Sequence, residues 1–238
     1  MEILNMLYEG KAKKVFKTDD PQVYLVQYKD DATAFNGAKK GSIAHKGVMN
    51  NKISSLLFQA LQKEGINNHF IQQISATEML VKVVTIVPLE VVVRNVAAGS
   101  LAKRLGLEEG TPLKSPVIEL CYKNDELGDP MVNHYHIQAI DLASEAEVAQ
   151  IEAEALKINK LLIDIFAKCQ LELIDFKLEF GREADGSIIL ADEISPDTCR
   201  LWDAATHEKL DKDRFRRDLG KVEEAYQEVL QRLENVLA

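Results

Sequence analysis

Residues 171–195 constrain this chain most. Ile174, Phe176, Leu178 and Phe180 alternate with Asp175, Lys177 and Glu179. A period of two sorts into an apolar and a charged face on an extended strand. Asp185-Gly186 follows, a dipeptide favoured in two-residue hairpin turns, and apolar residues then resume towards Ser195. The segment therefore predicts a hairpin with arms Leu171 to Glu183 and Ser187 to Ser195. With Asp185 and Gly186 at the centre of the turn, Glu179 faces Asp192, Lys177 faces Ile194 and Asp175 faces Pro196. Like charges directly opposite on a sheet repel each other. A divalent cation between Glu179 and Asp192 removes the conflict, and Mg²⁺ takes one or two protein carboxylates together with water and phosphate oxygens. On spacing alone, a solvated outer face with Lys177 bridging two acids explains the pattern equally well.

The rest of the chain reads as α+β. Short strands are expected at Leu7 to Gly10, Lys13 to Thr18 and Val23 to Tyr28, with Asp19-Asp20-Pro21 breaking the chain. Met49, Ile53, Leu56, Leu57, Ala60 and Leu61 recur at helical spacing between Lys46 and Glu64, and Gly65 suits a stop. Strands follow at Phe70 to Ile74, Met79 to Ile86 and Leu89 to Val96. Pro88 separates the last two and marks a boundary, giving an N-terminal domain of residues 1–87 and a C-terminal domain of residues 88–238. Ser100 to Leu105 suits a short helix ending at Gly106. Thr111 to Asn133 reads as loop around one strand, Val117 to Tyr122. Ser144 and Glu147 resemble a capping box opening a helix to Lys168. A last helix, Asp213 to Leu237, would place Leu219, Val222, Tyr226, Val229 and Leu233 on one face. Sheet and helices that do not alternate regularly point away from a βαβ fold.

A net charge of −9 argues against nucleic-acid binding. No apolar run approaches the roughly 20 residues of a membrane span, and no export signal is apparent at the N-terminus. Cys121, Cys169 and Cys199 are odd in number and widely spaced, which suits reduced thiols of a cytoplasmic protein. His134 and His136 could chelate a metal on a strand, but no third ligand of suitable spacing accompanies them.

Other segments carry charge where a ligand would use it. Gly10-Lys11-Ala12-Lys13 lets the backbone approach a ligand, with both lysines on one side of the following strand. It could cover a triphosphate, or simply protect a basic edge strand. Arg94 interrupts an apolar strand, and a buried arginine needs an anionic partner. Glu90 could supply one, or an anionic ligand could. Gly99-Ser100 stands at an expected helix start, where backbone N–H groups suit phosphate. Lys123-Asn124-Asp125 with Asp129-Pro130, and the stretch Asp192 to Asp203, are charged, proline-punctuated loops of the kind that bind ligands. Together these residues suggest ATP-dependent activation of a carboxylate and transfer to an amine. A small-molecule kinase and a non-catalytic nucleotide-binding module remain alternatives.

Side by side, the segments resemble the SAICAR synthetase family of purine biosynthesis. The resemblance runs from Leu7-Tyr8 and Gly10-Lys11-Ala12-Lys13 to the C-terminal helix. It is carried most specifically by Val87 to Arg94 leading to Gly99-Ser100, and by Leu173 to Gly181. Lys123 to Pro130 and Asp192 to Asp203 match as well. It implies a small antiparallel-sheet ATP-binding domain joined to a larger α+β domain, distantly like protein kinases, with the active site between them. The implied reaction joins carboxyaminoimidazole ribonucleotide to L-aspartate through an acyl phosphate, releasing ADP and phosphate. Gly10, Lys11, Ala12 and Lys13 would cover the ATP phosphates, with Val15 and Lys82 against the nucleotide. Glu179 and Asp192 would hold Mg²⁺. Arg94, Gly99, Ser100, Asp197 and Arg200 would bind substrate, and Lys177, Asp175 and Arg200 would serve the reacting carboxylate. Lys123 and Asp129 are assigned to the ATP and aspartate sides. Family members of this size imply a homodimer. Asn36 stands where some relatives carry an aspartate, so a second magnesium at that position is not implied.

Overall fold

The computed structural model describes residues 1–34 and 37–237. Strands β1 (Ile3–Glu9), β2 (Lys13–Thr18) and β3 (Val23–Tyr28) continue into a small ribbon, β4 (Asp31–Ala34) with β5 (Lys39–Ser42). After helix α1 (Lys46–Lys63) come β6 (Phe70–Gln73) and β7 (Glu78–Lys82), completing an antiparallel sheet in the order β1-β2-β3-β7-β6. The chain then enters a second sheet. It contains β8 (Thr85–Val96), β9 (Pro112–Tyr122), β10 (Met131–Val132), β11 (Leu171–Arg182) and β12 (Ile188–Ala191), ordered β10-β9-β8-β11-β12, and β13 (Cys199–Asp203) also pairs with β11. Helices α2 (Gly99–Leu105), α3 (His134–Ala139), α4 (Glu145–Lys168), α5 (Asp213–Arg216) and α6 (Val222–Leu237) complete the chain.

One apolar core spans both sheets. Phe58 and Leu61 of α1, Ile158 and Leu162 of α4, and Tyr226 and Leu233 of α6 join Val91, Phe176 and Leu178 in it. The long helices follow from their spacing and caps. Ser144 accepts the Glu147 N–H while the Glu147 carboxylate accepts the Ser144 N–H, which satisfies donors at the start of α4. α1 ends where Gly65 turns left-handed (φ 76°).

Several expectations are corrected. Pro88 does not divide two strands: β8 runs through it, at an irregularity in the β8–β11 register where no ladder N–H is needed. β9 is longer than expected and includes Pro112 and Pro116; β10 pairs only with Leu120 and Cys121, so these prolines lie along an edge. The last helix is two. Asp218, Gly220 and Lys221 are left-handed, and Leu219 is half-exposed instead of lying on the core face. His134 and His136 lie on α3, not a strand. His134 contacts Glu152, and His136 Nδ1 accepts the Asn133 N–H in a helix cap. Ile174 does not share a core with Phe176. A register shift between Leu173 and Asp175 sends it to a separate cluster with Val96, Ala98 and Trp202.

The hairpin register is also shifted by one residue. The Glu183 N–H donates to Ser187 O and the Gly186 N–H to Glu183 O, with Gly186 at φ 87°. The loop therefore has three residues, Ala184 to Gly186, the type I turn with a left-handed glycine that ranks after the two-residue turns. Glu179 pairs with Ala191, not Asp192. Asp175 lies between Arg94 and Arg200, not opposite Pro196, and the Lys177 N–H donates to Thr198 O.

Candidate active site: a lysine-lined cleft and an arginine cluster

A cleft of about 490 Å³ lies between the two sheets. Its floor includes Lys177 and Glu179 of β11, which project opposite to the core residues Phe176 and Leu178. Glu179 and Asp192 meet here after all, by a route the turn arithmetic did not contain. Asp192 follows β12 with φ 61°, so the chain leaves the ladder and its carboxylate turns back. Lys177 Nζ contacts Glu179 Oε1 and lies 3.2 Å from Asp192 Oδ2 and 3.3 Å from Glu90 Oε1. The acid directly opposite Glu179 on the sheet is Glu90 of β8. Strand pairing alone could reveal Glu90, since the residue paired with Glu179 is not encoded by either strand's own alternation.

The roof comes from the β1–β2 turn. The Gly10 N–H donates to Lys13 O at 2.8 Å. A Cβ at residue 10 would come within 2.8 Å of the exposed Tyr8 ring, which would have to swing aside. Lys11 pairs with Asp125 at 2.8 Å, and Lys13 contacts Asp192 and lies 3.1 Å from Glu193. Ala12, Val15, Lys82, Lys123 and Asp129 also line the cleft. Lys123 Nζ donates to Glu179 Oε1 at 2.9 Å, and Lys82 lies 3.1 Å from Glu183. Asp129 accepts the Asn124 N–H at 2.9 Å and so shapes its own loop.

Charge in the cleft is held by mutual attraction. Burial alone would depress Lys13, but Asp192 and Glu193 keep its ammonium above the usual range. Burial would likewise raise Asp192, yet Lys13 and Lys177 hold it well below the ordinary carboxylate range. Lys177 is held well above its usual value, its burial outweighed by Asp192, Glu179 and Glu90. His69 also lines the cleft, and nothing in the sequence marked it. Burial, reinforced by Lys13, lowers its pKa to about 3, so the imidazole is neutral, and Nε2 has no hydrogen-bond partner among the described residues.

The second group of predicted residues forms a separate cluster two residues along β11. Arg94 donates to Glu119 Oε2 at 2.8 Å, to Asp175 Oδ2 at 2.7 Å and to Ser100 Oγ at 3.0 Å. Its anionic partners are thus Glu119 and Asp175, and not Glu90. β13, which the sequence read as loop, places Arg200 opposite Asp175; Arg200 Nη1 donates to both Asp175 oxygens and its Nε to Asp213 Oδ2 at 3.0 Å. Gly99 (φ 52°) packs on the Arg200 guanidinium, where a Cβ would come within 2.6 Å of Nη2. Asp197 lines the cleft, but its carboxylate accepts from the fully buried Lys46 at 2.8 Å and from Tyr226 Oη at 2.7 Å. Asn36 lies outside the described residues.

Among the described residues no group of three His, Cys, Asp or Glu side chains is arranged to cage a metal. The paired carboxylates of Glu179 and Asp192 nonetheless fit Mg²⁺, because an ammonium already bridges them and Mg²⁺ accepts two protein carboxylates with phosphate oxygens. Among the described residues no helix is long and apolar enough to cross a membrane.

Residues 6–233 match the family model for SAICAR synthetase. The chain is 61% identical to a phosphoribosylaminoimidazole-succinocarboxamide synthase of Coprothermobacter proteolyticus, covering 98% of this chain and 99% of that one. It is 63% identical, with the same coverage, to one of Clostridium botulinum. Among solved structures, the synthase of Ehrlichia chaffeensis superposes with a TM-score of 0.95 at 48% identity, over 98% of this chain and all of that one. A SAICAR synthetase in complex with ADP superposes at 0.93 and 49% identity, over 100% and 99% of the two chains. The chain belongs to the SAICAR synthetase family, and with it to the ATP-dependent ligases of purine biosynthesis.

Proposed function

We propose that this SAICAR synthetase joins the carboxylate of carboxyaminoimidazole ribonucleotide to the amine of L-aspartate through an acyl phosphate. A carboxylate oxygen takes the terminal phosphoryl group of ATP, ADP leaves, and the amine then displaces phosphate at the acyl carbon. The supporting observation is the convergence of Lys13, Lys123 and Lys177 on the Glu179–Asp192 pair, in a cleft that Lys11 also lines. Phosphoryl transfer needs alignment and charge neutralisation more than a covalent participant. Lys13, Lys123 and Lys177, each held above its usual range by neighbouring carboxylates against the effect of burial, carry charge for that neutralisation.

In this reading residues 1–87 form the nucleotide-binding domain and residues 88–238 the substrate domain. Gly10, Lys11, Ala12 and Lys13 cover the phosphates, while Val15 and Lys82 lie against the nucleotide and Lys123 approaches the phosphate end. Glu179 and Asp192 would hold Mg²⁺, which supplies further neutralisation of phosphate oxygens when bound. Lys177 stands between this pair and the arginine cluster, where it can hold the reacting carboxylate. Arg94, Gly99, Ser100 and Arg200 receive the ribonucleotide, Asp175 keeps both guanidinium groups in place, and Asp129 and Asp197 shape the loops around the substrates. ADP release measured with each substrate omitted in turn tests the reaction. Full turnover requires both the ribonucleotide and aspartate; stable phosphorylation of a hydroxyl compound, unaffected by aspartate, would identify a kinase instead. We also place the protein in the cytoplasm as a homodimer, on the family resemblance, and a monomeric mass in solution would refute the assembly.

A further inference from the structure

Lys212 stands out among the lysines of the cleft. Lys11, Lys13, Lys82, Lys123 and Lys177 each have a carboxylate oxygen within 3.3 Å. Lys212 precedes α5, lines the same cleft and keeps only 14% of its side chain exposed. Its salt-bridge partner among the described residues is Asp197, at 3.7 Å, and its Nζ makes no hydrogen bond there. Asp197 is already committed, with Lys46 on Oδ2 and Tyr226 on Oδ1. Lys46 is fully buried and has no other anion within reach among the described residues. One carboxylate is therefore shared by two ammonium groups and a hydroxyl donor.

Such a site carries surplus positive charge away from water. Burial depresses the Lys212 ammonium most; Asp197 pulls it back up, but Lys46 and Arg216 push it down again and Glu193 offsets less. A desolvated ammonium without a hydrogen-bonded anion is costly, and a ligand carboxylate would remove that cost. We infer that Lys212 receives a carboxylate of the amino-acid substrate, an inference that rests on the ligase reading above.

Position favours the amino acid over the other anions. The β1–β2 turn already supplies Lys11 and Lys13 for the phosphates, with Lys13 committed to Asp192 and Glu193, and the arginine cluster supplies Arg94 and Arg200 for the ribonucleotide. Lys212 belongs instead to the wall around Ser195 to Thr198: its N–H donates to Pro196 O, and the Lys177 N–H donates to Thr198 O. A carboxylate bound at Lys212 therefore lies on the Lys177 side of the cleft, where the reacting carbonyl must meet the amine.

The test is steady-state kinetics of full-length Lys212→Met and Lys212→Arg, with each substrate varied while the others saturate. Loss of one charge-assisted hydrogen bond corresponds to a fall of roughly ten- to a hundredfold in kcat/KM for aspartate. The values for ATP and the ribonucleotide should stay within about threefold, because their own contacts remain. Lys212→Arg should recover most of the loss. Inhibition by succinate, which keeps both carboxylates but lacks the amine, should weaken in the Met variant by the same factor. Unchanged kcat/KM for aspartate, or a uniform fall for all substrates together with a lowered melting temperature, would overturn the inference. If the wild type consumes ATP at the same rate with and without aspartate and forms no product that contains aspartate, the ligase reading itself fails.

Discussion

The cleft around Lys177 and the cluster around Asp175 lie two residues apart on one strand, yet they hold charge differently. In the cleft, lysines on separate elements reach carboxylates across open space, and Lys123 and Lys11 keep more than two-fifths of their side chains exposed. In the cluster, Arg94, Asp175 and Glu119 are each at least 93% buried and fixed by several hydrogen bonds. An ammonium on a flexible stem can exchange one anion for another at small cost, whereas a planar guanidinium shared between two carboxylates is committed by its geometry. On the proposed function, the cleft would exchange its partners for an incoming anion, while the cluster would keep the floor in shape and offer only its outer atoms to a ligand.

Breaking the cluster should therefore affect stability most. Arg94→Met takes a buried partner from both Asp175 and Glu119, leaving them, among the described residues, only Arg200 and Arg104, and should cost about 3 kcal/mol in urea unfolding, the low end for breaking a buried pair. Near-wild-type stability would erase the distinction drawn above. The cleft predicts the reverse pattern. Glu179→Gln and Asp192→Asn should each lower turnover by about 10²–10³-fold while leaving the melting temperature close to wild type. Normal turnover in both variants would remove the proposed Mg²⁺ pair.

Smaller effects sharpen the picture. His69 stays neutral to about pH 3 in the folded chain but protonates at its ordinary value when unfolded. Its folded pKa is lowered, so its contribution to stability is complete above pH 6.5 and is lost as the pH falls towards 3. At pH 5 the loss reaches about 2 kcal/mol. His69→Gln should flatten the acid limb of a stability–pH curve by that amount, and an unchanged limb would show that the imidazole titrates normally. The smallest effect belongs to Lys11→Ala. Its exposed pair with Asp125 should contribute about 0–1 kcal/mol to stability, so the variant should melt normally and show its defect in KM for ATP. A large drop in melting temperature would mean that this pair is structural.

Much of this was legible before any coordinates. The α1 and α4 helices follow from spacing, capping and a terminal glycine, all local signals. Lys13, Lys123, Lys177, Glu179 and Asp192 stand out as clustered charges, and Gly10 as the glycine beside two lysines, and the cleft collects every one of them. Lys46, His69 and Lys212 did not stand out, because a lysine or histidine becomes unusual only when water is removed from around it.

By itself, then, the chain's alternation and charge determined most of the strands, though not β4, β5 or β13, together with the α+β class and the chemical character of the site. Register and partnership belonged to the tertiary structure. Whether the turn at Asp185-Gly186 spans two residues or three depends on backbone angles that both forms permit, and one residue decides which side chains face each other. Glu179 and Asp192 meet because Asp192 turns left-handed after β12, and Arg94 is neutralised by Glu119 and Asp175 because β9 and β11 flank β8. Local sequence sets what each strand presents, but only packing decides what lies opposite it.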